Sequence, residues 1–283
     1  MKKTVSENLE KSAFSLRTSW QWVRTDFRED FERLCREPQN LTADGPGKVI
    51  WQTKNKYVLL LTMPESGRKV VYKTAPNVKR AYQYCHRRSV FANEAWYFCY
   101  FAELGLPMAK LLAAGDTREN FILQTGFLMT EFAEGFNNGL MFIKDDADAK
   151  LRDIYIRKNL EYLALIHDRR ILHRGATPAN FLCRMVDDEM QIIWIDVATC
   201  HYKPFCYPLK KGIILDLVMF LRWFPLKGDE LRTYLEYYLA CTKKKRFLIE
   251  TLYPKVEKLV RLRVAIEEQK TIQRMAHIQA SGR

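Results

Sequence analysis

The strongest constraint on the fold is the uneven distribution of strand and helix patterns along the chain. Up to Glu131, β-rich runs dominate (KVIWQT, KYVLLLTM, KVVYK, AKLLAAGD and FILQTGFLMTEF), around one helix pattern from about Ser89 to Leu104. Beyond Glu131 the pattern is helical, apart from a short hairpin formed by FLCRM and QIIWID. Strands gathered in front of helices predict an α+β fold with two lobes, a small β-rich N-lobe and a larger helical C-lobe.

We expect an N-terminal helical extension (1–44), an N-lobe (45–135) and a C-lobe (136–283) that ends in a basic helix. In the extension, apolar residues recur at intervals of three or four, which is typical of an amphipathic helix; they are Trp20, Val23, Phe27, Phe31 and Leu34. The boundary between the lobes is expected within Ala133–Asn138, where Gly135 and two asparagines loosen the chain.

The charge balance favours an anionic partner. The 283 residues include 46 Lys and Arg against 33 Asp and Glu, a net charge of +13. The seven cysteines are scattered without a CxxC pair, so we expect a reducing compartment and no zinc site. The N-terminus lacks the apolar stretch of a secretory signal, and no apolar run is long enough to cross a bilayer. These features together predict a cytoplasmic protein.

Candidate catalytic residues concentrate in the segment ILHRGATPANFLC (171–183), which follows an apolar helix pattern and opens the hairpin. His173, Arg174 and Asn180 match the protein-kinase catalytic loop, H-R-D-x-x-x-x-N, and Asp196 stands where kinases carry a metal-binding aspartate. Phosphoryl transfer depends mainly on positioning and charge neutralisation, and Mg²⁺ prefers oxygen ligands. Because the hairpin strands pair, we predict that Asn180 and Asp196 converge on one metal ion.

A second group of candidate residues lies in the N-lobe. Lys73 ends the run VVYK, which is similar to the kinase strand whose lysine meets the α- and β-phosphates, and Glu94 lies in the N-lobe helix pattern. Glu94 is expected to pair with Lys73, because an unpaired buried lysine tends to lose its proton. The glycine-rich phosphate loop of kinases is absent. Between the first two strands, Lys54 or Lys56 could meet phosphate as a point charge.

Each of these residues also has an ordinary interpretation. The His-Arg pair could lie on the surface, Lys73 on an edge strand and Glu94 on an exposed helix face, while Asp196 could cap a turn. Taken singly, these interpretations are favoured. Taken together, the residues occur in the order and on the elements that a kinase-like fold requires, which favours that fold.

The sequence resembles the lipopolysaccharide core kinases (Kdo/heptose kinases) over roughly Lys48 to Arg263. The resembling segments include TKNK followed by KVVYK, NEAW, LGLPMAKLLAAGD, FLMTEF and ILDLVMFLRW. The resemblance implies ATP and Mg²⁺ as cofactors, and a sugar hydroxyl of the lipopolysaccharide core oligosaccharide, or of lipid A-core, as acceptor. It also implies that the segment Glu131–Ala133 contacts adenine and that Asp216 braces the catalytic loop.

Gly175 departs from this family, because it occupies the position of the catalytic aspartate. Glycine cannot accept a proton, and a general base contributes about 10²–10⁴-fold to the rate. Three outcomes remain open. Transfer could run slowly on positioning and metal alone, Asp168 or Asp187 could replace the base, or the chain could be a pseudokinase that binds nucleotide and acts as a regulator or scaffold. The ordinary, non-catalytic interpretation is that Asp168 lies on the surface at the end of a helix and that Asp187 lies in a turn.

The basic residues cluster toward the C-terminus, in KKKR (243–246) and along Lys255 to Arg274. An apolar stripe in the last helix permits binding to an anionic membrane surface, and peripheral association with the inner membrane is one hypothesis. The alternative is a C-lobe helix with a solvated charged face. We expect no nucleic-acid partner, since no RRM, KH or helix-turn-helix pattern occurs.

Overall fold

The structure is a computed structural model that describes residues 19–36, 38–75, 88–143, 148–226 and 228–280. Residues 1–18 lie outside these ranges. They include the start of the predicted N-terminal extension and the segment that was considered as a secretory signal. By their internal contacts the residues divide into two units. The first comprises 1–135 and 193–199, and the second comprises 136–192 and 200–283.

The first unit is built on a six-stranded antiparallel sheet in the order β1-β5-β6-β4-β3-β2. Its strands are β1 (Trp20–Val23), β2 (Lys48–Thr53), β3 (Lys56–Thr62), β4 (Lys69–Ala75), β5 (Leu111–Glu119) and β6 (Ile122–Glu131). Its described helices are α1 (Arg28–Arg36) and α2 (Val90–Glu103). The predicted strands and N-lobe helix are therefore present in the predicted order.

The two faces of this sheet have different roles. Phe31 and Leu34 of α1 belong to a buried cluster on one face, together with Leu59, Tyr72 and Met129. Since successive side chains of a strand point to opposite faces, the residue that follows Tyr72, Lys73, lies on the other face. One face of the sheet is thus closed by α1, and the other carries the candidate nucleotide-binding residues.

The prediction of one continuous helix through Trp20 and Val23 is wrong. These residues form β1, which pairs with β5 through Trp20↔Asp116 and Val23↔Ala113, and α1 begins only at Arg28. Over so short a stretch, spacing alone does not separate a strand from a helix turn. Pairing with β5 satisfies the backbone groups of this segment, and it places Trp20 inside and Gln21 outside.

Helix α2 begins where the sequence indicated. Ser89 is its N-cap, and the Ser89 hydroxyl accepts a hydrogen bond from the Ala92 N–H at 3.0 Å. The helix packs against the sheet through Phe91, which lies over Gly126 of β6. A Cβ atom at residue 126 would come within 2.3 Å of the Phe91 ring, so this close approach requires glycine. The packing fixes the height of α2 above the sheet, and with it the position of Glu94.

The second unit is mainly helical. Its helices are α3 (Ala149–Asp168), α4 (Cys206–Leu221), α5 (Gly228–Cys241) and α6 (Ile249–Ala280). Its strands are β7 (Asn137–Asn138), β8 (Ile171–Leu172), β9 (Phe181–Val186), β10 (Glu189–Trp194) and β11 (His201–Tyr202). β10, β9 and β7 form a three-stranded sheet, and β11 pairs with β8. The predicted hairpin turn is present at Asp187 and Asp188, which both have positive φ.

The last helix packs against the second unit at its N-terminal end. Leu252 and Val256 are fully buried, and α6 lies against α4 and α5. Farther along, Leu262 and Val264 are exposed and most of the charged residues face solvent. The side chain of Ile272, which belongs to the apolar stripe predicted for this helix, lies outside the described residues. This arrangement agrees with a C-lobe helix that has a solvated face. Within the described ranges, no helix has both the length and the apolar content needed to cross a membrane.

Candidate active site

Three charged residues of the first unit meet on the sheet face opposite α1. The Lys73 Nζ atom lies 2.9 Å from both carboxylate oxygens of Glu94 and 3.2 Å from Asp196 Oδ1. Strand β4 supplies Lys73, α2 supplies Glu94, and the segment after β10 supplies Asp196. The predicted pairing of Lys73 with Glu94 is present, and Asp196 joins it. We refer to these residues as the Lys73–Glu94–Asp196 cluster.

Burial within this cluster is graded. The Glu94 side chain is 1% exposed, Lys73 is 21% exposed and Asp196 is 45% exposed. Burial raises the pKa of Glu94 to about 7, against the opposing effect of Lys73. Burial alone would lower the pKa of Lys73, but the carboxylates of Glu94 and Asp196 outweigh it and raise the pKa above its ordinary value. Lys73 therefore stays protonated, and Asp196 is the member that is open to solvent.

A side-chain bond to the main chain holds the segment that carries Asp196. The Asn93 Nδ2 atom donates to the Ala198 carbonyl at 3.0 Å, and the Asp196 carboxylate accepts from the Ala198 N–H at 3.4 Å. Upstream, the Trp194 N–H donates to Pro107 O at 2.8 Å. The residue beside Glu94 in the sequence thus fixes the turn after Asp196, which limits how far Asp196 can move from Lys73.

The two lysines of the β2–β3 hairpin lie in different places. Lys54 is exposed in the turn, whereas Lys56 is half-buried at the start of β3. In the strand register Val58 is opposite Lys73, and Lys56 lies two residues before Val58, so Lys56 and Lys73 share one face of the sheet. The Lys56 charge also acts to lower the pKa of Glu94. Lys56, which the sequence left as an alternative to Lys54, is the hairpin lysine on the side of the cluster.

The predicted adenine-contacting segment lies at the end of β6. The Glu131 carboxylate pairs with Arg68 at 3.2 Å, and its N–H donates to Lys110 O, so its polar groups face protein partners. Ala133 is half-buried and follows the last residue bonded to the sheet, since the Phe132 N–H donates to Lys69 O. Within the described chain the Ala133 N–H and carbonyl form no backbone hydrogen bond. The contact of Glu131–Ala133 with adenine stays a prediction.

The catalytic-loop segment of the second unit is held by one buried carboxylate. Asp216 of α4 is 1% exposed and accepts hydrogen bonds from the His173 and Arg174 backbone N–H groups, each at 2.7 Å. The same carboxylate lies 3.3 Å from His167 Nε2, and His167 Nδ1 lies 2.8 Å from the Tyr238 hydroxyl. The predicted bracing by Asp216 is present. Its charge compensates two backbone donors in a site without solvent.

The loop itself turns at Arg174, which has a φ of 59°, and continues through Gly175 to Asn180. The His173 ring is fully buried and packs edge-on against Phe181, with ring centroids 5.3 Å apart. The Asn180 Nδ2 atom donates to the Gly175 carbonyl at 2.9 Å, so the Asn180 oxygen is the atom that could bind a cation. The described glycines with positive φ are residues 67, 105 and 135. The backbone at Gly175 is therefore one that an aspartate can adopt.

Neither carboxylate considered as a replacement base lies in this loop. Asp168 is not the surface residue we expected: it is 8% exposed, accepts from the N–H groups of Lys243 and Lys244, and pairs with Arg246 at 3.2 Å. Asp187 does occupy the hairpin turn. It is separated from Asn180 by the whole of β9, which spans about 20 Å. Asp168 closes the α5–α6 connection, and Asp187 is too far from Gly175 to accept a proton there.

The structure thus brings together Lys73, Glu94 and Asp196 in one unit, and His173 to Asn180 in the other. The convergence of Asn180 and Asp196 on one metal ion stays a prediction. In the described part of the chain, no group of three or more His, Cys, Asp or Glu side chains is arranged to hold a metal ion. A bound Mg²⁺ would therefore depend on oxygen ligands from nucleotide phosphates as well as from the protein, which suits its preference.

No protein-family model matches the chain, and no curated protein matches its sequence. Its fold matches 1353 solved chains, so the fold by itself does not specify a substrate. One of these structures is WaaP in complex with acyl carrier protein; the match covers 88% of this chain and 98% of that one, with a TM-score of 0.59 and 16% sequence identity. At the level of the fold, this likeness confirms the resemblance to the lipopolysaccharide core kinases. The chain has the α+β, protein-kinase-like fold, with a β-rich N-lobe and a helical C-lobe.

Proposed function

We propose that this chain is an ATP-dependent phosphotransferase that phosphorylates a sugar hydroxyl, of Kdo or heptose, on the lipopolysaccharide inner core. The observation that carries the proposal is the Lys73–Glu94–Asp196 cluster, in which a protonated lysine lies between a buried and a half-exposed carboxylate. The choice of acceptor is supported by the sequence segments that resemble the lipopolysaccharide core kinases, and WaaP, a lipopolysaccharide core heptose kinase, has the same fold.

In this proposal each residue of the cluster has a separate task. Lys73 binds the α- and β-phosphates, and Glu94 holds its ammonium in place and charged. Asp196, the exposed member, and Asn180 would supply oxygen ligands to Mg²⁺, whose charge neutralises the phosphates when it is bound. The residues fit such an ion, because both present hard oxygen donors and Asp196 is open to solvent.

The same sheet face carries apolar side chains that would contact the base of the nucleotide. Val58, Leu60 and Val71 are half-buried on the face that carries Lys73, and they form an apolar floor suited to a planar base. Ala133, whose main-chain groups form no backbone hydrogen bond within the described chain, would contact the edge of the base, and Lys56 adds a second cation. Since the hairpin has no glycine-rich loop, we assign the phosphate contact to Lys56 rather than to Lys54, the two lysines that the sequence left as alternatives.

Gly175 sets the expected rate. Without a carboxylate at this position, transfer would depend on the positioning of the reactants and on the neutralisation of phosphate charge. The rate would then be about 10²–10⁴-fold below that of a kinase with its base in place. The segment is nevertheless held in position by Asp216, and the Asn180 side chain is oriented by the Gly175 carbonyl. These hydrogen bonds hold the loop in one conformation although it has no base.

Gly175 also favours a second candidate, a pseudokinase that binds nucleotide and serves as a regulator or scaffold in envelope biogenesis. Two measurements separate the candidates. MgATP should raise the melting temperature of the wild-type chain but not of Asp196→Ala, and radiolabelled phosphate should appear on purified core oligosaccharide. Stabilisation without transfer would support the pseudokinase. Stabilisation absent in both proteins would exclude nucleotide binding and both candidates.

We place this activity in the cytoplasm, at the face of the inner membrane, because lipid A-core is a membrane-bound acceptor. The net charge of +13 supports an anionic surface as partner. Separating cell extracts into membrane and soluble fractions, before and after a high-salt wash, would test this location. We expect the chain in the membrane fraction before the wash and in the soluble fraction after it; a chain found only in the soluble fraction before the wash would contradict membrane association.

A further inference from the structure

The four most exposed large hydrophobic side chains of the described chain all belong to the second unit. They are Tyr207 at 81%, Phe205 at 74%, Leu248 at 69% and Tyr202 at 55%. Single exposed apolar residues are normal on protein surfaces, but a group of this size indicates a contact surface. None of these residues takes part in the site described above.

Contacts within the unit join the segments that carry these side chains. The Lys210 Nζ atom lies 5.7 Å from the centroid of the Phe247 ring, which places the start of α4 beside residues 247–248. The Lys203 N–H donates to Arg170 O at 2.8 Å, and the Arg170 guanidinium donates to Pro204 O. We call residues 202–211 and 243–248 together the aromatic–lysine patch.

The charge of the patch has one sign. Neither 202–211 nor 243–248 contains Asp or Glu, and together they hold Lys203, Lys210, Lys211, Lys243, Lys244 and Lys245. Arg246 is neutralised by Asp168, but Lys210, Lys211 and Lys243–Lys245 are exposed. The exposed aromatic side chains therefore belong to segments whose charged residues are all basic, which favours an anionic partner.

We infer that the aromatic–lysine patch binds the surface of an anionic lipid bilayer. Tyrosine and phenylalanine beside lysine are typical of the boundary between headgroups and acyl chains, where the rings enter the apolar layer and the ammonium groups meet phosphate. The exposed basic residues are lysines, whereas nucleic acids are usually bound through the bidentate guanidinium of arginine. A bilayer accounts for the aromatic residues and for the charge together.

This surface differs from the one that the sequence suggested, the C-terminal helix. The predicted apolar stripe of α6 begins with Val256, which is buried within the unit and cannot enter a membrane, and Val264, farther along, is 38% exposed, about half as much as Phe205 and Tyr207. The inference rests on the proposed function only in the choice of an inner-membrane location. Vesicle binding is measured without phosphate transfer, so either can fail while the other holds.

Vesicle flotation with the full-length chain tests the inference. Wild-type protein should bind vesicles containing about 30% phosphatidylglycerol, should bind pure phosphatidylcholine weakly, and should be released by about 0.5 M NaCl. Lys210→Gln/Lys211→Gln should lower the partition coefficient about 25-fold, because each charge contributes about fivefold. Phe205→Ser/Tyr207→Ser should lower it at least about tenfold.

Two matched controls locate the surface. Lys255→Gln/Lys258→Gln removes two exposed charges from α6, and Phe121→Ser/Ile122→Ser removes two exposed apolar side chains from the β5–β6 turn of the other unit. Both should bind vesicles like the wild type. Loss of binding in the α6 variant with normal binding in both patch variants would overturn the inference. So would equal binding to neutral and anionic vesicles, or capture of an acidic protein by a chain that binds no vesicles.

Discussion

Replacement of Asp216 provides the sharpest test of how the catalytic loop is held. The carboxylate is buried and accepts two backbone N–H bonds of 2.7 Å, from His173 and Arg174. A hydrogen bond to a charged group contributes about 1.5–3 kcal/mol, so Asp216→Ala should lower the free energy of unfolding by about 3–6 kcal/mol. That is a large part of a typical stability of about 5–15 kcal/mol. Asp216→Asn keeps one acceptor oxygen and should lose roughly half as much.

Equilibrium urea unfolding, followed by far-ultraviolet circular dichroism, measures these differences. Arg232→Ala is a suitable control, because it removes only an exposed i,i+4 ion pair with Glu236 at 2.9 Å, worth about 0.3–0.5 kcal/mol, and a cation–π contact with Tyr253 at 5.9 Å, worth about 0.5–1 kcal/mol. The reasoning would be refuted if Asp216→Ala unfolded within the range of this control, or if Asp216→Asn cost as much as Asp216→Ala. The first result would mean that the loop needs no brace, and the second that the loss comes from something other than the two N–H bonds.

Three further predictions concern the candidate active site. Gly175→Asp should raise the rate of phosphate transfer by about 10²–10⁴-fold in a radiolabel assay, because the base is restored; an unchanged rate would show that the site does not use a base at this position. Lys56→Gln should weaken MgADP binding by about two- to fivefold in calorimetry, while Lys54→Gln should leave it unchanged, since Lys56 alone of the two shares the face of Lys73; equal effects would contradict that assignment. Glu94 has a pKa of about 7 in the folded chain, against an ordinary value of 4.5. Between these pH values the folded chain holds a proton on Glu94 that the unfolded chain has lost. The contribution of Glu94 to stability is therefore complete below pH 4.5 and is lost as pH rises through about 7. Over that window the wild type should lose about 3 kcal/mol relative to Glu94→Gln in urea unfolding; parallel pH profiles would show that burial does not shift this carboxyl group.

Much of the candidate site could be predicted because its residues lie at characteristic places on regular elements. The sequence places Lys73 at the end of a β-branched run and Glu94 in the following helix pattern, and the structure joins them at 2.9 Å. Asp216 was expected to brace the loop, and it does. Such predictions succeed when the element type and the order along the chain are enough to define a contact.

Other features could not be read in this way. Trp20–Val23 has the spacing of a helix but forms a strand, because β5 offers it backbone partners that lie about 90 residues away in the sequence. Asp168 looks like a surface residue in sequence, yet it is buried by residues 243–246, which return to it from the end of α5. In each case the deciding partner is distant along the chain, and local spacing carries no information about it.

The sequence by itself determined the type and order of the elements, the loss of a carboxylate at Gly175 and the excess of positive charge. These follow from local periodicity and composition, which need no knowledge of neighbours. Only the tertiary structure decided which side chains face one another and which face solvent: Lys56 rather than Lys54 lies on the face of Lys73, and Phe205, Tyr207 and Leu248 are exposed while Leu252 and Val256 are buried. Strand register and helix packing set these directions, and both depend on contacts between segments far apart in the chain.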